Sequence, residues 1–254
     1  MRILALGDVV GVCALDHLEA KLWDVRRQHR VDFTVANGEN ASEIHGISAK
    51  DAKRLLQCGA DVITLGNHAF GQKDLYPLLE ESECIIRPVN FPPQCPGMGY
   101  TVFNANGWRV LCINACGRVH MDSYGDPFDA IDRILLREKG NYDYALLDFH
   151  AESTSEKLAM ARVYDGRIHV IFGTHTHVTT ADEQILPRGS GYQTDLGMCG
   201  PHSGIIGSET AGVVERLRNL LPARFVVAGG PITAHGTLFD LDGNRVTHVE
   251  RITF

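Results

Sequence analysis

A layered α/β fold built on mixed β-sheet is predicted by three features of the sequence. Short apolar runs that end in polar or glycine-rich residues recur along the chain, amphipathic stretches of helical length lie between them, and two hairpin signals interrupt the alternation. Strand–helix alternation implies parallel neighbours joined by crossovers, whereas hairpins join antiparallel ones, so the two together imply mixed sheet.

The strands come first in the argument. ILALGD (3–8), VDFTVANGEN (31–40), DVITLGNH (61–68), YALLDFH (144–150) and IHVIFGTHTH (168–177) each read as a buried strand whose C-terminal end breaks into a loop. Between them, ALDHLEAKLWDVRRQH (14–29) spaces Leu15, Leu18, Leu22 and Val25 three and four residues apart, which makes one apolar stripe of a helix. SAKDAKRLLQCG carries Ser48 and Asp51 at the spacing of an acidic capping box and stops at Gly59. STSEKLAMARVY starts with Ser153 and Glu156 at the same capping-box spacing. Hairpins are expected at Asn106-Gly107 in GYTVFNANGWRVLCINACG and around Asp242-Gly243 in the tail GTLFDLDGNRVTHVERITF. No internal repeat, low-complexity tract or linker divides the chain, and a single domain over 1–254 is the simplest organisation.

Composition narrows the class. A chain of 254 residues with 44% hydrophobic and 22% charged residues can bury a proper core. A net charge of -7 argues against long nucleic acid as a partner, since such proteins present basic surfaces. Cys13, Cys58, Cys84, Cys95, Cys112, Cys116 and Cys199 are odd in number, scattered and without a C-x-x-C pair, which fits reduced thiols in a cytoplasmic protein. The start MRILALGDVVG is broken by Asp8 too early for a secretory signal, and no apolar run reaches membrane-spanning length.

The strand ends carry the chemistry. GTHTH places His175 and His177 one residue apart, and strand alternation would project both rings to one side. Asp8 follows the first strand, Glu39 and Asn40 the second, Asn67 and His68 the third, and His150 a later one. Any of these alone has an ordinary role as a cap, a turn residue or a hydrogen-bonded histidine. Their convergence after five strands, at the end where open α/β sheets build sites, is poorly explained by caps and turns. Imidazole, carboxylate and carboxamide without thiolate suit iron, manganese, zinc or cobalt. Seven ligands exceed one tetrahedral ion and suit two ions bridged by a carboxylate, for which Glu39 is the natural choice. Two divalent ions against Asp8 and Glu39 leave a net +2, a site that calls for an anion. In-line attack on a phosphoester by a hydroxide generated at the metals uses all of this, with His68 as candidate acid for the leaving alkoxide. His68 could instead orient the nucleophile or hydrogen-bond a ligand.

These blocks, GD (7–8), GEN (38–40), GNH (66–68), His150 and GTHTH (173–177), resemble the calcineurin-like binuclear metallophosphoesterases. ANGENA, IRPVNFP, DFHAESTSEK, GTHTHVTTADEQILP and TDLGMCGP are similar to the YmdB-like subfamily of bacterial 2',3'-cyclic-nucleotide phosphodiesterases, over nearly the whole chain. The resemblance implies a four-layer αββα sandwich of two mixed sheets flanked by helices. It also implies one metal on Asp8, Glu39, Asn40 and His177, a second on Glu39, Asn67, His150 and His175, and His68 in catalysis. Iron is the implied metal with manganese as substitute, and a homo-oligomer is the implied assembly. The superfamily usually begins Asp-x-His, whereas position 10 is Val here and Asn40 takes the place of that imidazole, as in the subfamily.

The function expected is hydrolysis of small cyclic-nucleotide phosphodiesters, 2',3'-cyclic and also 3',5'-cyclic. The alternatives are a phosphomonoesterase or RNA-end-processing nuclease on the same site, and a regulatory nucleotide-binding protein acting through partner contacts. Arg87, Asn90 and Tyr100 in the proline-rich loop RPVNFPPQCPGMGY, and Arg118 beyond it, are open to substrate contact, subunit contact or a turn.

Overall fold

In the computed structural model, which describes residues 1–43, 45–222 and 224–254, alternation along the strands sorts the apolar residues into three layers of core. In strand β1 (Arg2–Val10), Ile3 and Ala5 face one way and Leu4 and Leu6 the other, all fully buried. Leu4 and Leu6 pack with Leu15, Leu18 and Leu22 of helix α1 (Val12–His29). Ile3 and Ala5 pack with Phe33 and Val35 of β2 (Phe33–Asn40) against residues of a second sheet. A strand buried on both faces needs apolar residues at every position, which is why these runs do not alternate with polar residues.

The remaining elements follow in order. Helix α2 (Ala49–Gln57), β3 (Val62–Thr64), α3 (Tyr76–Glu81) and β4 (Ile85–Ile86) complete the parallel part of the first sheet. Strands β5 (Tyr100–Ala105), β6 (Trp108–Cys116), β7 (Tyr144–His150), β8 (Val170–Thr174), β9 (Gln184–Ile185) and β10 (Gly191–Gln193) form the second. Helices α4 (Pro127–Arg137) and α5 (Thr154–Tyr164) cover its outer face through Ile131, Ile134, Met160 and Tyr164. Strand β11 (Met198–Pro201), helix α6 (Thr210–Asn219), β12 (Ile232–Asp242) and β13 (Arg245–Thr253) end the chain. The first sheet has the order β13-β12-β11-β1-β2-β3-β4 and the second β5-β6-β7-β8-β10-β9. Both mix parallel and antiparallel pairs, and helices lie outside both, so the expected αββα sandwich is the observed one. Among the described residues no helix is long and apolar enough to cross a membrane, and the seven cysteines are free thiols.

Local signals mostly hold. Ser48 caps α2 through Asp51 N at 3.1 Å, and Gly59 ends it in a Schellman motif, with Gly59 N on Leu56 O and Ala60 N on Leu55 O. Asn106 and Gly107, both at positive φ, make the two-residue turn between Ala105 and Trp108. The second hairpin turns one residue later than expected, on Gly243 and Asn244, because Asp242 still pairs with Arg245. The capping box at Ser153 does not form: Glu156 instead accepts Arg118 N and Val119 N, tying α5 to the loop after β6.

Two strands also run further than the sequence suggests. Asp8 lies within β1, and Glu39 and Asn40 within β2, because β1 continues to pair with β11 at Asp8 and Val9 and with Asn40 at Val10. The β1–β2 register shifts on either side of Asp8, an irregularity of the kind that re-aims side chains beside sites.

At the other end of β1, Arg2 grips Asp240 through Nε at 2.5 Å and Nη2 at 2.7 Å, directly across the β1–β12 register. The hydrogen bond from Arg2 holds the Asp240 carboxyl below its ordinary value of 3.8. A depressed carboxyl stabilises the fold above its unfolded pKa and loses that contribution as pH falls through the folded one. Asp240→Asn is therefore expected to lower Tm at neutral pH, with the gap from the parent closing as melts are repeated down to about pH 2.

Candidate metal centre

The ligand-type side chains gather where the C-terminal ends of β1, β2, β3, β7 and β8 from both sheets meet. His150 ends β7, and Asn67 and His68 follow β3 after Gly66. A side chain at Gly66 would collide with Glu39 Oε2 and His150 Nε2, so the third strand can approach only as glycine. His175 and His177 are not strand residues: β8 stops at Thr174, and both histidines have positive φ, 99° and 62°. The strand-alternation argument for their common direction therefore fails, and a backbone that non-glycine residues rarely adopt presents them instead.

Eight residues singled out in the sequence converge. His150 Nε2 stands 3.0 Å from Glu39 Oε1, 2.9 Å from Asn67 Oδ1 and 3.1 Å from His175 Nδ1. Glu39, His150 and His175 each offer an atom within 4.8 Å of the others, a group that could hold a metal ion. Beside it, His177 Nε2 is 3.7 Å from Asp8 Oδ1 and 3.4 Å from Asn40 Nδ2, which in turn is 3.2 Å from Glu39 Oε1. Glu39 is thus common to both groups. Asp8 Oδ1 and Asn40 Oδ1 are buried without any hydrogen-bond partner. Buried oxygens are nearly always paired, so the orphaned Asp8 Oδ1 beside the His177 imidazole fits a cation that it would ligate.

Each side chain spends one end on the protein and turns the other inward. Asp8 Oδ2 accepts His175 N at 3.0 Å, and Glu39 Oε2 accepts His68 N at 3.0 Å. His150 Nδ1 meets Thr174 Oγ1 at 2.9 Å, and that hydroxyl donates to Asp148 Oδ1 at 2.7 Å. Asp148 is also held by Thr64 Oγ1 and Asn37 Nδ2. His175 Nε2 meets Glu152 Oε2 at 3.1 Å, and His177 Nδ1 meets the Ile206 carbonyl at 2.9 Å. Outer nitrogens donating to these acceptors leave the inner lone pairs free, the tautomers a metal site needs.

The loop carrying the histidines is fixed from beneath. Lys157 Nζ and Asp195 Oδ2 pair at 2.6 Å with 2% and 1% of their side chains exposed. The same Asp195 oxygen accepts Thr176 N and Thr176 Oγ1, between the two histidines, while its Oδ1 accepts Gly197 N. Gly197 O in turn receives Asp8 N at 3.1 Å.

The charges answer to this crowding. Burial pushes the Asp8 carboxyl up, but the neighbouring His177 imidazole and the charge of His150 outweigh it and hold the group well below the usual range. Burial likewise opposes ionised Glu39, and the charge and bond of His150 reverse the balance. Burial disfavours charged His177, yet Asp8 lifts it to about 9. Burial and then the charge of His150 press His175 down to about 4. Burial raises Asp148 to about 6 against the pull of His150.

A cavity of about 320 Å³ opens over the centre, lined by His68, His175 and His177 on the polar side. His68 is half-buried, which lowers its pKa, and its Nε2 lies 3.1 Å from the Asn67 side-chain amide. His45 packs against it in a tilted pair with ring centroids 4.0 Å apart. Sequence reasoning missed His45, Glu152, Asp148 and Thr174; Asp148 and Glu152 stand two residues either side of His150, a spacing that could have flagged them. Nothing local marks Ile206, Lys157 or Asp195. The proline-rich loop resolves as architecture: Arg87 donates to the carbonyls of Pro88, Cys95 and Pro96, Asn90 ties to Cys116 in both directions, and Tyr100 bonds Glu138. Arg118 pairs with Asp126 at 3.4 Å.

The chain is similar to known proteins over nearly its whole length. A family model described as YmdB-like protein matches residues 4–252. The 2',3'-cyclic-nucleotide 2'-phosphodiesterase of Bacillus subtilis (strain 168) is 41% identical, over 99% of this chain and 96% of its own. A solved structure of a hypothetical protein from Thermus thermophilus matches with TM-score 0.95 at 40% identity, covering 100% of this chain and 99% of that one. A novel phosphatase from Mycoplasma pneumoniae matches with TM-score 0.94 at 31% identity, covering 100% and 93%.

The tight approach at Gly66 has a direct test. Gly66→Ala should keep the far-UV circular dichroism of the parent while losing bound transition metal in elemental analysis, because the added methyl displaces Glu39 and His150 together. Parent-like metal content in a folded variant would refute that account.

Proposed function

The chain belongs to the YmdB-like protein family, and from that membership and the centre above we propose that it is a metal-dependent phosphodiesterase of small cyclic nucleotides, 2',3'-cyclic foremost and 3',5'-cyclic as well. One observation carries the reading. Glu39 Oε1, Asn67 Oδ1, His150 Nε2 and His175 Nδ1 crowd together, beside the partnerless Asp8 Oδ1. Inward lone pairs at this density repel unless a cation or a proton lies among them.

Asp8, Asn40, His177 and Glu39 would hold one ion, and Glu39, Asn67, His150 and His175 the other. A nitrogen and oxygen set without thiolate suits iron, with manganese as a substitute. When bound, the pair of ions supplies Lewis acidity toward phosphoryl oxygens and acidifies a water. The chain's own residues do the rest. The outward anchors on Thr174, Glu152 and Ile206 keep the three imidazoles oriented. The Asn67 side-chain amide lies against the His68 ring at the cavity. His68 is the group we assign to protonating the leaving alkoxide, since a phosphodiester anion beside it favours the charged imidazole that burial opposes.

Metal-loaded protein is expected to hydrolyse 2',3'-cyclic AMP, and His68→Ala to lower kcat by about 100-fold or more with metal content unchanged. Loaded parent protein that leaves 2',3'-cyclic AMP, 3',5'-cyclic AMP and an aryl phosphodiester intact would sink the proposal. Metal binding should also depend on pH. His177, with its pKa raised to about 9, must release its proton to ligate. Manganese affinity of chelator-stripped protein, measured by calorimetry, is expected to rise with pH between about pH 6 and pH 9 and to show proton release. A flat profile would remove His177 from the ligand set.

A further inference from the structure

We propose that Ile206, Val213 and Phe225 form a subsite for the nucleobase of the substrate, an inference that rests on the phosphodiesterase reading above. The cavity over the centre has two unlike sides. Imidazoles and Glu39 form the floor that suits a phosphate, and Ile206, Val213 and Phe225 form an apolar wall within the same 320 Å³. Volumes from about 300 Å³ upward accommodate small organic ligands, and such sites join apolar walls to a few polar groups. A cyclic phosphodiester seated on the floor must send the rest of its nucleoside along the cavity, and the wall is the apolar surface it meets there.

The wall is built in register with the metal centre. Ile206 has φ +45°, a genuine outlier for a β-branched residue, and its carbonyl is the acceptor for His177 Nδ1. One residue thus orients a candidate ligand and lines the apolar side. Val213 lies on α6, which has no buried residue of its own. Arg216, three residues further along that helix, places its guanidinium 5.1 Å from the centroid of the Phe225 ring. Two elements therefore bring their apolar side chains to this cavity although α6 buries none in the core. Ile206, Val213 and Phe225 hold the base by stacking and dispersion, which accept purines and pyrimidines alike, and Ser208 adds one hydroxyl to the same lining.

Phe225→Ala tests this, with 2',3'-cyclic AMP compared against glycerol 1,2-cyclic phosphate, a cyclic phosphodiester without a base. The expected result is a KM about tenfold higher for 2',3'-cyclic AMP. The KM for the glycerol ester, kcat on both and metal content should be unchanged, and Phe225→Tyr should restore the parent KM. Equal rises on both substrates, or no rise on either, would overturn the subsite. If the parent turns over neither substrate, the phosphodiesterase reading fails separately. The subsite is then decided by equilibrium binding of AMP to metal-loaded protein: weaker binding by Phe225→Ala upholds it, and equal binding overturns it.

Discussion

The structure turns on one electrostatic constraint: lone pairs from seven side chains are forced together at the floor of a cavity, three of them from fully buried groups. Asp8, Glu39 and His150 are at most 1% exposed, so no solvent screens their mutual repulsion. Each is kept in place by a bond on its far side, to a backbone N–H, a hydroxyl or a carbonyl. The pKa pattern follows from the same arrangement, with Asp8 raising His177, and burial followed by the charge of His150 lowering His175. Protons occupy the ground that cations would otherwise neutralise, and this makes the centre a site for positive charge rather than a polar knot in the core.

Holding such a centre costs stability elsewhere in the fold. Left-handed backbone at His175, His177 and Ile206, and a buried ion pair between Lys157 and Asp195, are unfavourable features in isolation. They are tolerated because the sandwich around them is dense: β1 and β2 are buried along nearly their whole length between the second sheet and a helical layer. Asp195 shows how support and site are joined. One carboxylate binds Lys157 from α5, Thr176 from the histidine loop and Gly197 before β11, so helix packing sets the loop that presents the imidazoles.

The sequence by itself determined a great deal. The apolar runs, the Asn106-Gly107 turn and the Schellman stop at Gly59 are local consequences of side-chain size, backbone freedom and hydrogen bonding, and they can be read without neighbours. The identity of the converging residues, from Asp8 to His177, was legible because carboxylate, carboxamide and imidazole recur at strand ends. Tertiary structure decided how they converge. Strand alternation gave the wrong reason for the pairing of His175 and His177, since β8 ends before them and contacts to Asp8, Glu152 and Ile206 set their directions. Glu156 had the spacing of a cap and went instead to Arg118 and Val119. The partners of Asp148, Lys157 and Asp195 lie far apart in sequence. Only the stacking of two sheets fixes those distances, because a side chain's electrostatic surroundings are set by what packs against it and not by what precedes it.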